Sequence, residues 1–362
     1  MIDSLERTQE SPSLDHLKAM LVPAGVTQFG IGDRPDYASG TCLDDNVRAL
    51  LVAVAALSAD PAYRHAREIG DAAIAFMERA RRTDGRFRNM ADIDGDFLEE
   101  LGSEESQGRT VWACGVTARC ATVPEWRETA LRLLIGMLPA LGGLKAVHAR
   151  AYSLLGLTAA IAPNTASAIP PAGQALSRPI ADAIVRALLS LADMAVREFQ
   201  ASASFDWSWW SPTLTWGNGR LPEAMLVAGL VTGKKRFSDI GMRSLEFLAR
   251  VTQTDGMLIP IGNDGWYPHG GRRAVYDQQP IEACAMVGAW LAAYRLTGDR
   301  WHRDKAAAAY RWFSGHNTEG LRMADERTGA CFDGLLRGEV NRNCGAESTV
   351  SYLQTAFAVE AR

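Results

Sequence analysis

The phrase Leu230-Val231-Thr232-Gly233-Lys234-Lys235-Arg236-Phe237 returns further along the chain as Leu296-Thr297-Gly298-Asp299-Arg300-Trp301, and Leu57-Ser58-Ala59-Asp60-Pro61-Ala62-Tyr63 fits the same template. Each copy joins two apolar runs, and the runs show the 3.6-residue periodicity of helices, as in Ile69, Ala73, Phe76 and Met77. The second run of each pair closes on a related phrase: Thr83-Asp84-Gly85, Thr254-Asp255-Gly256 or Thr318-Glu319-Gly320. The unit is therefore helix, tight turn, helix, acidic-Gly stop and long loop. Self-similarity on this scale marks stacked supersecondary units.

Working outward, the pattern predicts helices over 14–21, 44–57, 62–82, 111–119, 126–141, 146–161, 180–199, 223–230, 237–251, 280–296 and 301–313, with a last one ending near 359. A Pro/Ala-rich connection, 163–179, separates two of them. These make five helical hairpins and a final helix that needs a partner, which the N-terminal helix can supply. The expected fold is all-α: a single domain, 1–362, closed as an (α/α)6 toroid of six helical hairpins. Short turns join hairpin partners at one end, and long loops rich in Gly, Asp, Trp and His form the functional end. An open helical solenoid shares the repeat but does not explain why the chemically loaded loops fall at one end.

Composition bounds the function. A chain of 362 residues, 47% hydrophobic, buries a large core. Its net charge of −4 and pI near 5.9 argue against a nucleic-acid partner, which calls for a basic stripe. The six cysteines are scattered without CxxC pairs, so neither a metal site nor a disulfide framework is expected, and no cofactor is implied. No apolar run reaches membrane-spanning length, and the polar start Met1-Ile2-Asp3-Ser4-Leu5-Glu6-Arg7 lacks a signal peptide's apolar core. A soluble cytoplasmic protein without a membrane partner is expected.

Polar clusters stand where inner helices begin. In Tyr276-Asp277-Gln278-Gln279-Pro280-Ile281-Glu282-Ala283, Pro280 suits the first helical position and gathers Asp277, Gln278 and Glu282 about a helix N-terminus. Leu43-Asp44-Asp45-Asn46-Val47-Arg48-Ala49-Leu50 and Gly102-Ser103-Glu104-Glu105-Ser106-Gln107-Gly108-Arg109-Thr110-Val111-Trp112-Ala113 have the same character. Through these three segments, residues 25 to 360 resemble the six-hairpin glycosidase-like superfamily of (α/α)6 barrels, which houses glycoside hydrolases, unsaturated-uronyl hydrolases and sugar epimerases. The segments are also similar to bacterial proteins loosely labelled glycosyltransferases, but no Rossmann unit for a nucleotide sugar is visible. The resemblance implies a small carbohydrate substrate.

Glycosidic cleavage needs one neutral carboxyl to protonate the leaving oxygen and one ionised carboxylate to attack or to activate water. The catalytic candidates are Asp44, Asp45, Glu104, Glu105 and Asp277, since adjacent carboxylates repel and one of a pair is held protonated. Each also suits a helix first turn, where a carboxylate caps free N–H groups. Gln107, Arg109, Arg220, Gln278, Glu282 and Glu347 are candidates for binding hydroxyls or a substrate carboxylate. Loop tryptophans Trp207, Trp209, Trp216 and Trp266 could stack on the apolar face of a pyranose, with packing on the rim as the alternative for some. His148, with Tyr152 nearby, and His269 are the features that would favour an epimerase, because imidazole titrates near neutrality. The expected activity is glycoside hydrolysis of a short oligosaccharide. The alternatives are a sugar epimerase, isomerase or lyase, or a non-catalytic carbohydrate-binding protein.

Overall fold

The structure, a computed structural model, describes residues 12–162, 172 and 176–360. The polar segment 1–11 and most of the 163–179 connection lie outside the described residues. Six inner helices, α2 (Leu43–Ala59), α4 (Glu104–Cys120), α6 (Val147–Ile161), α8 (Arg220–Thr232), α10 (Pro280–Thr297) and α12 (Ala346–Glu360), each pack against the next, and α12 packs back on α2. The ring is closed, so the expected (α/α)6 toroid is what forms and the open solenoid is not.

Outside lie α3 (Ala66–Ala80), α5 (Pro124–Met137), α7 (Arg178–Ser202), α9 (Lys235–Thr252) and α11 (Arg300–Tyr310), while the short α1 (Asp15–Ala19) touches α12 and α3 and completes the outer layer. Burial sorts the layers: α10 buries twelve of its eighteen residues, whereas α9 buries seven of eighteen along one stripe. A helix apolar on most sides must be enclosed, and an amphipathic one covers it.

The repeated phrase works as a turn device. Gly233 and Gly298 sit in the left-handed region at φ 67° and 71° and end α8 and α10, a conformation that costs a residue with a Cβ about 1 kcal/mol or more. Asp299 then caps α11 by accepting from the Trp301 N–H at 2.9 Å. Asp60 instead accepts from the Ala62 N–H, so residues 60–65 form a turn and α3 begins at Ala66, not 62. The apolar stretches 111–119 and 223–230 are only the later parts of α4, which opens on the polar turn Glu104-Glu105-Ser106-Gln107, and of α8, which opens on Arg220-Leu221-Pro222. Closest approach falls between α4 and α6: a Cβ on Gly115 would collide with the Gly156 carbonyl, and one on Gly156 with that of Val111.

All six inner helices start at the same end, where the long loops gather. Two-residue ribbons stiffen those loops, pairing Thr41–Cys42 with Met90–Ala91, Thr213–Leu214 with Tyr267–Pro268, and Gly334–Leu335 with Val340–Asn341. All six cysteines are free and buried. No helix among the described residues is long and apolar enough to cross a membrane.

Candidate functional site

A cavity of about 440 Å3 opens at the N-terminal ends of the inner helices. Its wall carries Asp44, Asp45 and Arg48 from α2, Arg109 from α4, Asp277 and Gln279 ahead of α10, Glu347 from α12, and Asp333 from the preceding loop. Five carboxylates face two guanidinium groups there. The converging N-termini, each with partial positive charge, help such an acidic wall to persist.

Arg48 organises one side. Its Nη2 donates to Asp45 Oδ1 at 2.7 Å, its Nη1 to Glu347 Oε2 at 2.8 Å, and its Nε to the Asp44 carbonyl at 3.0 Å. Burial disfavours the Arg48 charge, but Glu347, Asp45 and Asp44 outweigh it and raise its pKa. Burial lifts Asp45 to about 6 against the pull of Arg48, and its second oxygen accepts from Cys42 Sγ at 3.1 Å. Glu347 is the open member of this group, with 45% of its side chain exposed.

Arg109 organises the adjoining side, sharing Asp44 with Arg48. Its Nη1 lies 2.8 Å from Asp44 Oδ1, while Asn89 Nδ2 donates to the other Asp44 oxygen at 3.2 Å. The guanidinium rests 5.0 Å from the Tyr152 ring centre and 4.9 Å from that of Trp216, a cation–π contact with each of two stacked rings. His148 stacks on the far portion of that group, 4.3 Å from Trp216. Burial, and then the Arg109 charge, push the His148 imidazole down to about 4.

The third side is acidic without a cation. Burial raises Asp277, and the charge of Asp264 adds to it, against a hydrogen bond with Asn263. Asp333 is raised too, by burial and by the charges of Glu347 and Asp277, although it accepts from the Gly345 N–H at 2.8 Å and from Ser348. Asp277 and Asp333, both raised, therefore lie on the same cavity wall as Glu347, which Arg48 holds.

Of the residues singled out from the sequence, Asp44, Asp45, Arg109, Asp277 and Glu347 line this cavity, with Trp216, Tyr152 and His148 packed behind Arg109. Others are placed differently. Glu104 accepts from the N–H groups of Lys145 and Ala146 at 2.7 and 2.6 Å, bracing the start of α6, and its neighbour Glu105 does not line the cavity. Gln107 is consumed by both polar groups of the Phe87 backbone. Gln278 is buried between Trp312 Nε1 and Thr318. Glu282 is buried as well, accepting from the Gly217 N–H and from Asn218 Nδ2, so it holds the loop that presents Trp216 and does not line the cavity. Burial still lifts its carboxyl to about 7 against those bonds.

Trp207 and Trp209 are core residues, 2% exposed, because their loop folds onto α9, where both rings meet Phe247. His269 stacks on Trp207 and pairs with Asp206 at the rim. Trp266 packs against the core at φ 58°. Arg220 lies lower in the barrel, against the Trp112 ring and paired with Glu223.

Sequence reasoning did not select Arg48, Asn89, Gln279 or Asp333. Arg48 carried a usable signal, since it falls three and four residues after the Asp pair and so on one helix face. Asp333 carried none, being a loop residue with no helix register. Among the described residues, no group of three or more His, Cys, Asp or Glu side chains is placed to hold a metal ion.

No protein-family model and no curated protein matches the chain. Solved structures do. A cellobiose 2-epimerase from Spirochaeta thermophila DSM 6192 superposes with a TM-score of 0.69 at 15% identity, over 97% of this chain and 92% of that one. The cellobiose 2-epimerase of Bacillus thermoamylovorans B4167 gives 0.70 at 13% identity, over 96% and 95%. A GH76 α-mannanase from Bacteroides thetaiotaomicron gives 0.60 at 9% identity, over 88% and 86%. The chain has the six-hairpin (α/α)6 fold of these proteins, as its sequence resemblance implied.

Proposed function

We propose that this chain is a carbohydrate-active enzyme that hydrolyses a short oligosaccharide in the mouth of the toroid. The observation that carries the reading is that one cavity is lined both by Asp277, a carboxyl raised by burial, and by Glu347, an open carboxyl held by arginine. Asp277, whose carboxyl burial keeps protonated to higher pH, is the general acid toward the leaving oxygen. Glu347, open to the cavity and held by Arg48, is the carboxylate that activates water or attacks the anomeric carbon. The charge of Asp264 adds to the effect of burial on Asp277. Arg109, fixed by Asp44, offers donors to sugar hydroxyls.

The second reading, epimerisation or isomerisation of a sugar, is favoured by the names of the superposed cellobiose 2-epimerases. It needs a base that removes a carbon-bound proton. His148, lowered to about 4 by burial and by Arg109, is poorly suited to that role, and His269 is turned to Asp206. Incubation with a panel of disaccharides and monosaccharides in D2O, followed by NMR, separates the two. New reducing ends support hydrolysis. Deuterium entering a sugar carbon without cleavage supports epimerisation and overturns the first reading, and no turnover of any sugar leaves a binding protein.

A further inference from the structure

Beneath the mouth, the lumen contains a second chamber of about 160 Å3. Tyr152 and Trp112, stacked 5.6 Å apart, separate the two: Arg109 lies over the upper ring and Arg220 over the lower. The lower chamber is walled largely by aliphatic side chains, among them Val116, Val287 and Leu291, yet Arg220, Glu223 and Arg295 also line it. A cavity in a helix bundle lined by so much hydrocarbon normally stays dry. Two guanidinium groups there require an account.

Arg220 has one: its Nη1 is 2.6 Å from Glu223 Oε2, with both side chains nearly excluded from solvent. Gly288 makes room for that pair, since a Cβ there would press on both partners. Arg295 has none. Its Nε is buried without an acceptor, and its guanidinium makes no hydrogen bond or salt bridge among the described residues. Its one opposing charge is Glu223, already engaged by Arg220 and acting only at longer range. A place in the last turn of α10 explains a cation near a helix C-terminus, but does not explain an Nε turned from water with nothing to bond. Two cations and one carboxylate leave one positive charge unmatched against a largely apolar wall, with Arg295 only partly exposed, an arrangement that favours an anion from outside.

We propose that this lower chamber binds a small monocarboxylate with a compact apolar body, its carboxylate on the Arg295 guanidinium and its body against Val116, Val287 and Leu291. The fork of the guanidinium matches a carboxylate, and a cavity of about 150 Å3 accommodates a benzene-sized body. The site is separate from the carbohydrate mouth and stands whether or not that reading does. It also touches the mouth's framework: Gln354, on its wall, donates to the Arg48 carbonyl at 3.1 Å.

Benzoate and benzyl alcohol share size and shape and differ in charge, so titration calorimetry on the full chain with both tests the proposal. Benzoate should bind one saturable site at least about tenfold more tightly than benzyl alcohol, and Arg295→Met should abolish that advantage. Benzoate should also shift one arginine Nε–H resonance of the wild-type protein, which needs no variant. Equal affinity for the two compounds, no saturable benzoate binding at millimolar concentration, or benzoate affinity that survives Arg295→Met would each overturn it; the last outcome would place the anion at the arginines of the mouth.

Discussion

Arg48 Nη1 lies 2.8 Å from Glu347 Oε2, although 299 residues separate them. The contact joins the first inner helix to the last, at the seam where the toroid closes. Because Arg48 also holds Asp45, one guanidinium both seals the ring and positions the open carboxylate of the cavity.

Removing that guanidinium leaves Asp45 buried and unpaired. Arg48→Met is expected to destabilise the fold by about 3 kcal/mol, the usual cost of breaking a buried pair from one side. Urea unfolding measures it, and a loss under about 1 kcal/mol would mean that the seam is held by packing alone.

The two carboxyls assigned to chemistry should separate activity from stability. Asp277→Asn and Glu347→Gln are each expected to lower turnover by about 10²-fold or more, with melting temperatures within a few degrees of wild type. If both variants hydrolyse the substrate at the wild-type rate, the acid and base have been placed on the wrong side chains.

Glu104 supplies the contrast. Its carboxylate satisfies two N–H groups ahead of α6, so Glu104→Ala should cost about 1 kcal/mol and leave turnover within a factor of two. A loss of turnover as large as that of Asp277→Asn, at unchanged stability, would return this residue to the active centre.

His148 makes stability depend on pH. Its pKa is lowered from 6.5 to about 4 in the fold, so on acidification the unfolded chain takes up this proton first. The contribution is complete above pH 6.5 and is lost as pH falls toward 4, at most on the order of 3 kcal/mol. His148→Phe keeps a ring against Trp216 and should flatten the stability profile between pH 4 and 6.5. An unchanged slope in the variant would assign the acid sensitivity to other groups.

The chain's own order of residues determined the helices, their pairing into hairpins and the end at which the long loops gather. Those features are local: Gly233 and Gly298 stop helices, Asp299 starts one, and apolar spacing decides which face is buried. Which polar residues meet was decided only by closure of the ring. Successive helical residues point about 100° apart, so neighbours such as Asp44 and Asp45 turn to Arg109 and Arg48 respectively, while Glu104 turns to the start of α6. Nothing local in the sequence separates these outcomes, since a first-turn carboxylate that caps and one that faces a cavity look alike. Glu347 meets Arg48 from 299 residues away, Asp333 joins from a loop through Gly345 and Ser348, and Trp207 and Trp209 left the site because their loop folds inward onto α9.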